Sequence, residues 1–135
     1  MENVIKQLKQ FKTDAIYEKK KHYNAADRKR RCYRWMSLAQ IILNAITGTT
    51  LITIAATILA GVQKACDYEK QAQGNAKVGD MYLRISKKIS LTLNYIKDGS
   101  LSRQEIMEKT EEICREISEA NEMGSQFPTS QKDYN

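Results

Sequence analysis

The stretch "SLAQIILNAITGTTLITIAATILAGVQ", Ser37 to Gln63, carries no charged residue and lies between "RKRRCYRW" and "KACDYEK". Its reading decides the fold, because it is long for one ordinary helix and short for two membrane spans. A single helix from Trp35 to Gln63 would reach roughly 43 Å, against a bilayer hydrocarbon core of about 30 Å. One tilted span therefore fits, whereas two full spans of about 17 residues and a turn do not. Within the stretch Gln40, Asn44, Thr47, Thr50 and Thr57 drift along one face at helical spacing, while Ile41, Ile42, Leu43, Ile52 and Leu59 cover the others. On a lipid-exposed helix such a stripe is sheltered against a neighbour or against water, which makes it a candidate pore or oligomer face. The plainer alternative is that the threonines bond carbonyls of their own preceding turn and the amides sit in an ordinary helix contact. "TGTT" is the one plausible bend, with Gly48 lowering helix propensity and Thr49 supporting the turn.

Charge gives the direction. The net charge is +6, and the basic cluster Arg28, Lys29, Arg30, Arg31 and Arg34 immediately precedes the apolar run. An anionic partner follows, either nucleic acid or the headgroups of a membrane leaflet. Nucleic acid is disfavoured, since the basic block holds no recognised reading motif and few aromatics placed to stack on bases. Beyond the run, Lys64, Lys70 and Lys77 are nearly balanced by Asp67, Glu69 and Asp80, so the positive-inside rule keeps the N-terminal side in the cytoplasm. A single span would then export the C-terminal half; a hairpin leaves both termini on one side.

The flanks read as helix. There is a single proline, Pro128. Val4, Leu8, Phe11 and Ala15 form an apolar stripe on a long N-terminal helix. Tyr23, Tyr33 and Trp35 near its end suit a headgroup layer. Tyr82, Ile85, Ile89, Leu93 and Ile96 make a second seam after the apolar run, and Gly74 and Gly79 predict a kink or a close crossing. Gly99 suits the left-handed position after a helix, and "SRQE" from Ser102 is a capping box opening a third helix. Its seam is Ile106, Thr110, Ile113, Ile117 and Ala120, and its acidic surface is expected to lie against the basic N-terminal helix. "GSQFPTSQKDYN" reads as a frayed tail.

Catalysis is poorly supplied. His22 is the one histidine, and in "KKKHYNAADRKR" it reads as a solvated imidazole rather than a general base. Cys32, Cys66 and Cys114 lack metal-ligand spacing and read as reduced cytosolic thiols. No catalytic, cofactor-binding or metal-ligating residue is assigned, an enzyme is not expected, and no leader peptide is expected either.

"HYNAADRKRRCYRW" leading into "IILNAITGTT", followed by "ILAGVQKACDYEKQA" and "YLRISKKI", resembles the SLATT proteins, small two-span effectors of bacterial conflict and antiphage systems. The matching positions are Tyr23, Asn24, Ala25, Ala26 and Arg28 at the entry and Gly48 and Thr49 at the turn. Val62 and Gln63 match at the exit, and Tyr82, Ile85, Lys88 and Ile89 in the return helix. The likeness covers roughly residues 20 to 90. Asn75 stands where that family commonly has a histidine, and the apolar hairpin is shorter than two spans. The resemblance implies an effector of the inner membrane that oligomerises and perturbs the bilayer when a sensor or nucleotide-signalling partner releases it, with both termini cytoplasmic. The competing expectation is a soluble helical interaction protein whose apolar run is a buried core.

The expected architecture is all-α, a long antiparallel helical hairpin with a short apolar tip and a third, C-terminal helix, self-associating through homo-oligomer contacts. Its segments are a basic helix over 1–35, the apolar hairpin over 36–63, a return helix over 64–98, a third helix over 102–123 and a flexible tail over 124–135.

Overall fold

The computed structural model describes residues 1–46 and 50–134. Thr47, Gly48 and Thr49, which carry the expected turn and part of the polar stripe, lie outside the described residues, as does the side chain of Thr50. Four α-helices account for most of the described chain: α1 (Glu2–Ala45), α2 (Thr50–Cys66), α3 (Tyr68–Lys97) and α4 (Arg103–Ser125), followed by a 3-10 turn at Gln131–Tyr134. The fold is all-α.

Helix α1 is 44 residues long, roughly 66 Å at 1.5 Å per residue, and forms one arm of a hairpin. The other arm is α2 followed by α3, running antiparallel to it. Three bonds fix the register: Gln63 donates to Ser37 Oγ at 2.8 Å, His22 bonds Asn75 at 2.8 Å, and Tyr23 donates to Asp80. The chain therefore reverses between Ala45 and Thr50, as the apolar-tip hairpin requires. The returning arm is not one unbroken helix. Asp67 adopts a left-handed conformation at φ 43°, a region where Asp is among the few non-glycine residues found with any frequency. The break leaves a carbonyl short of its partner, and Gln71 Nε2 supplies it by donating to Cys66 O at 2.6 Å.

The core sits where α1, α3 and α4 meet. Leu8, Ala15, Val78, Tyr82, Ile85, Ile89, Ile113 and Ala120 form one buried cluster, with Val4, Phe11, Leu93, Ile96 and Ile117 packed around it. The three apolar seams expected from the sequence thus converge on one another. Gly79 is a close crossing: a Cβ there would stand 2.8 Å from the Tyr23 ring. Helix α3 ends as expected, with Gly99 at φ 69° and paired bonds from Gly99 N to Ile96 O and Ser100 N to Tyr95 O, the double closure of a Schellman motif. Ser102 and Glu105 form the capping box of α4.

Two expectations are corrected. Acidic α4 is held chiefly by α3 rather than by the basic α1: Lys88 Nζ lies 2.6 Å from Glu112 and 2.7 Å from Glu116, and Tyr82 donates to Asn121. Nor is the tail frayed. Helix α4 continues to Ser125, Phe127 packs against Gly74, and Asp133 is 1% exposed against α1. Burial of one aromatic ring and one bidentate ion pair outweighs the polar composition from which the fraying was read.

Candidate functional site

Beyond the three-helix body, the end of α1 and all of α2 project as a two-helix tip. Its outer surface is apolar and uncovered: Leu38, Ile41, Ile42 and Ile46 on α1, and Leu51, Ile54, Ile58 and Val62 on α2, are 46–79% exposed. At about 100° per residue, the α1 set lies on the side of that helix opposite Gln40, Leu43 and Asn44. The α2 set likewise lies opposite Thr53, Ala56, Thr57 and Ala60. Those seven residues line a cavity of about 260 Å³ between the two helices. The tip is therefore least exposed at Leu43, Ile52, Ala56 and Leu59, opens a groove bordered by the exposed Asn44, Thr53 and Thr57, and is apolar on its two outer flanks.

Of the polar stripe read from the sequence, Gln40, Asn44 and Thr57 line that cavity. Gln40 Nε2 donates to Asn44 Oδ1 at 3.2 Å, and Thr57 Oγ1 donates to Thr53 O at 2.9 Å. These are local i, i+4 bonds, so the stripe is satisfied largely within each helix. One atom is left over. Gln40 Oε1 is buried without a hydrogen-bond partner, in an environment where such an acceptor costs about 1–3 kcal/mol. Thr50 opens α2.

At the base of the tip stands a basic and aromatic collar. Arg30, Arg31 and Arg34 are exposed and line one shallow groove with Asp27, while Trp35 is 73% exposed. A second groove beside it is lined by Tyr33, Gln63, Lys64, Asp67 and Tyr68. Two members of the basic cluster point elsewhere. Arg28 grips Asp133 with Nε and Nη2, both at 2.9 Å, and Lys29, 4% exposed, donates to Pro128 O at 2.8 Å. They hold the tail, so the exposed part of the cluster shrinks to Arg30, Arg31 and Arg34, of which Arg30 lies 3.6 Å from the Asp27 carboxylate. The Arg28 guanidinium, together with bonds from Ser130, holds the Asp133 carboxyl down at about 2.

His22 is a further correction. It is 3% exposed rather than solvated, with its ring stacked near Tyr82 at 6.0 Å between centroids. Asn75 Nδ2 donates to Gln71 O, so Asn75 Oδ1 is the acceptor for His22 Nδ1–H, and Nε2 is left facing a cavity of about 350 Å³ lined by Glu18, Lys21, Tyr82, Asn121 and Gly124 among others. Burial lowers the histidine pKa, against the raising effect of the Asn75 bond. Tyr23, read as a headgroup aromatic, is instead a contact between α1 and α3; its hydroxyl, bonded to the Asp80 carboxylate, is pushed up to about 12. The buried use of His22 could not be read from a run dense in lysine and arginine, because its partners Asn75 and Tyr82 lie more than fifty residues away.

The return-helix positions Tyr82, Ile85 and Ile89 are buried in the core, and Lys88 ties α3 to α4; all four do structural work. Among the described residues no group of three His, Cys, Asp or Glu side chains gathers to hold a metal, and no helix is long and apolar enough to cross a membrane. No family model, curated protein or solved structure matches the chain.

Proposed function

We propose that this protein is a membrane-associated effector of a bacterial antiphage or conflict system, one that oligomerises and perturbs the inner membrane when a partner sensor triggers it. The single observation that supports this most is the uncovered tip: two apolar flanks facing outward, above a collar of Arg30, Arg31, Arg34 and Trp35. A water-soluble hairpin keeps its outer surface polar; here Leu38, Ile41, Ile42, Leu51, Ile54 and Ile58 are each at least half exposed, the arrangement expected of helices solvated by lipid. The likeness to the SLATT proteins supplies the conflict-system setting. Both termini sit on the cytoplasmic side in this reading, Met1 at the far end of the hairpin from the lipid and the C-terminal tail beside Arg28 and Lys29. Perturbation follows from assembly: copies meeting along the seam of Gln40, Asn44 and Thr57 would bring polar groups together inside a lipid environment.

Expression in bacteria tests it, following fractionation and membrane potential. Wild type is expected in the membrane fraction with loss of potential. N44L/T47L is expected to fractionate in the same way while the potential holds. Wholly soluble protein in cells of normal potential overturns the reading. It would favour the second one, a soluble helical interaction protein, which draws support from the well-formed three-helix body.

A further inference from the structure

Resting on the membrane reading above, we infer that the tip is a one-leaflet anchor: it enters the cytoplasmic half of an anionic bilayer and stops near the midplane, without crossing. Length is the first argument. The charge-free part of α1, Trp35 to Ile46, reaches roughly 18 Å, and that of α2, Thr50 to Gln63, roughly 21 Å. Each is near the roughly 15 Å hydrocarbon depth of one leaflet plus part of its interface, and well under the about 20 residues that a crossing helix needs.

The second argument is the distribution of anchors. Arg30, Arg31, Arg34, Trp35, Tyr33 and Tyr68 lie at the base, where one headgroup layer would meet them; Asp27, Asp67 and Glu69 share the grooves there, with Lys64. The far end offers none: Ala45, Ile46 and Leu51 flank the reversal, and the intervening sequence from Ile46 to Leu51 contains no charge and no aromatic ring. A crossing hairpin would place that segment in the opposite headgroup layer without the basic and aromatic anchors that mark such a layer. Ending in hydrocarbon suits Ile46, 56% exposed, and Leu51, 79% exposed.

The third argument selects lipid over a protein partner. The two apolar flanks lie on opposite sides of the tip, so a single docked protein that covered one would leave the other wet. A leaflet covers both at once, and the three exposed arginines match its negative surface.

The test uses the full chain on vesicles of phosphatidylglycerol and phosphatidylethanolamine. Flotation reads binding. Depth is read from quenching of the L51W probe in a W35F background by lipids brominated at known positions along the acyl chain. Crossing is read from labelling of L51C, in a C32S/C66S/C114S background, by an impermeant thiol reagent trapped inside the vesicles. The expected result is flotation with the wild type and both probes, strongest quenching of L51W by lipids brominated near the chain ends, and no labelling of L51C from the lumen. R30Q/R31Q/R34Q is expected to weaken partition by roughly a hundredfold at low salt. Bound protein whose L51C is labelled from the lumen overturns the one-leaflet depth and leaves the membrane reading standing. Bound protein whose L51W is quenched best near the headgroups does the same, placing the tip on the surface. Failure of wild type to float overturns both, including the case in which the flanks are buried by a second copy in water.

Discussion

In the body of the molecule Leu8, Val78, Ile85, Ile89 and Ile113 are at most 2% exposed, whereas in the tip Leu38, Ile41, Leu51 and Ile58 are 50–79% exposed. The same two antiparallel arms run through both regions, with the same kind of apolar side chains. What differs is where the apolar arc of each helix points. In the body the arcs of α1, α3 and α4 converge and water stays outside. In the tip the outer arcs of α1 and α2 diverge, and among its described apolar residues Ala56 alone is buried. Burial of apolar surface stabilises the first region in water at about 25 cal/mol per Å²; the second gains that term only from something other than itself. The kink at Asp67 lies at the junction, where the helix changes the side it turns toward α1.

The largest expected difference comes from truncating one isoleucine in each region. I89A, at a site 0% exposed, removes packing from the centre of the core and is expected to lower stability by about 2–5 kcal/mol, read by urea unfolding. I58A, 61% exposed, should change stability in water by no more than about 0.5 kcal/mol while weakening vesicle binding. Equal losses for the two variants in water would mean that the tip has a packed core of its own, and the contrast between the regions would collapse.

Next come the contacts that bind the tail to the body. D133A removes a carboxylate held by Arg28 and Ser130. Since the Arg28 side chain is 36% exposed and stays hydrated, the expected loss is about 1–3 kcal/mol rather than that of a fully buried pair. The pH dependence has a definite sign. The folded pKa of Asp133 is about 2 against an ordinary 3.8, so its stabilisation is complete above the ordinary value and is lost as pH falls toward 2. A wild-type acid melting curve compared with that of D133A should show the difference shrinking through that window. G74A places a methyl group 2.1 Å from a Phe127 ring carbon. It is expected to displace the ring at about 1–3 kcal/mol, and F127A should abolish most of that penalty in the double variant.

His22 gives a smaller effect of the same direction. Burial lowers its pKa from 6.5, so the unfolded chain takes up the proton first, and stability present above 6.5 declines as pH falls below it. Glu18, Lys21 and Lys29 on α1 and Tyr82 and Asn75 on α3 surround the ring; the Asn75 bond and Glu18, with Oε2 3.9 Å from Nε2, favour the charge, while burial and the two lysines oppose it. Thermal melting at pH 7.5 and 5.5 should show a drop for wild type and a flatter response for H22N, which keeps a donor toward Asn75. A wild-type melting point that rises on acidification would mean that Glu18 outweighs desolvation.

Much of the body was legible in the sequence because its apolar residues recur at three and four: the seams Val4–Ala15, Tyr82–Ile96 and Ile106–Ala120 all meet in the core, and the Ser102 cap and the Gly99 closure are local signals. What was not legible depends on residues distant in the chain. Nothing near Asp133 foretells that Arg28 will hold it, and nothing near His22 foretells Asn75. Nor does periodicity say which neighbour α4 chooses, since Lys88 and the basic α1 offer it similar charge. The tip was half legible. The stripe of Gln40, Asn44 and Thr57 was visible, but a helical period does not tell a seam inside one hairpin from a face shared between copies.

That ambiguity is where the smallest expected effect is also informative. Gln40 Oε1 is the one buried side-chain acceptor without a partner among the described residues, so Q40L removes an unsatisfied group along with one bond to Asn44. In water the two changes nearly cancel, and the expected shift in stability is within about 0.5 kcal/mol. In a bilayer the outcome divides. If a second chain supplies a donor to that carbonyl, Q40L should lose roughly 0.6–2 kcal/mol of association free energy, read as a fall in energy transfer between labelled copies at fixed lipid ratio. If the seam belongs to each hairpin alone, energy transfer will not change, and oligomers would have to form through the outer apolar flanks. A leucine at position 40 thus separates two ways of assembling the same tip, while leaving the body that carries it almost untouched.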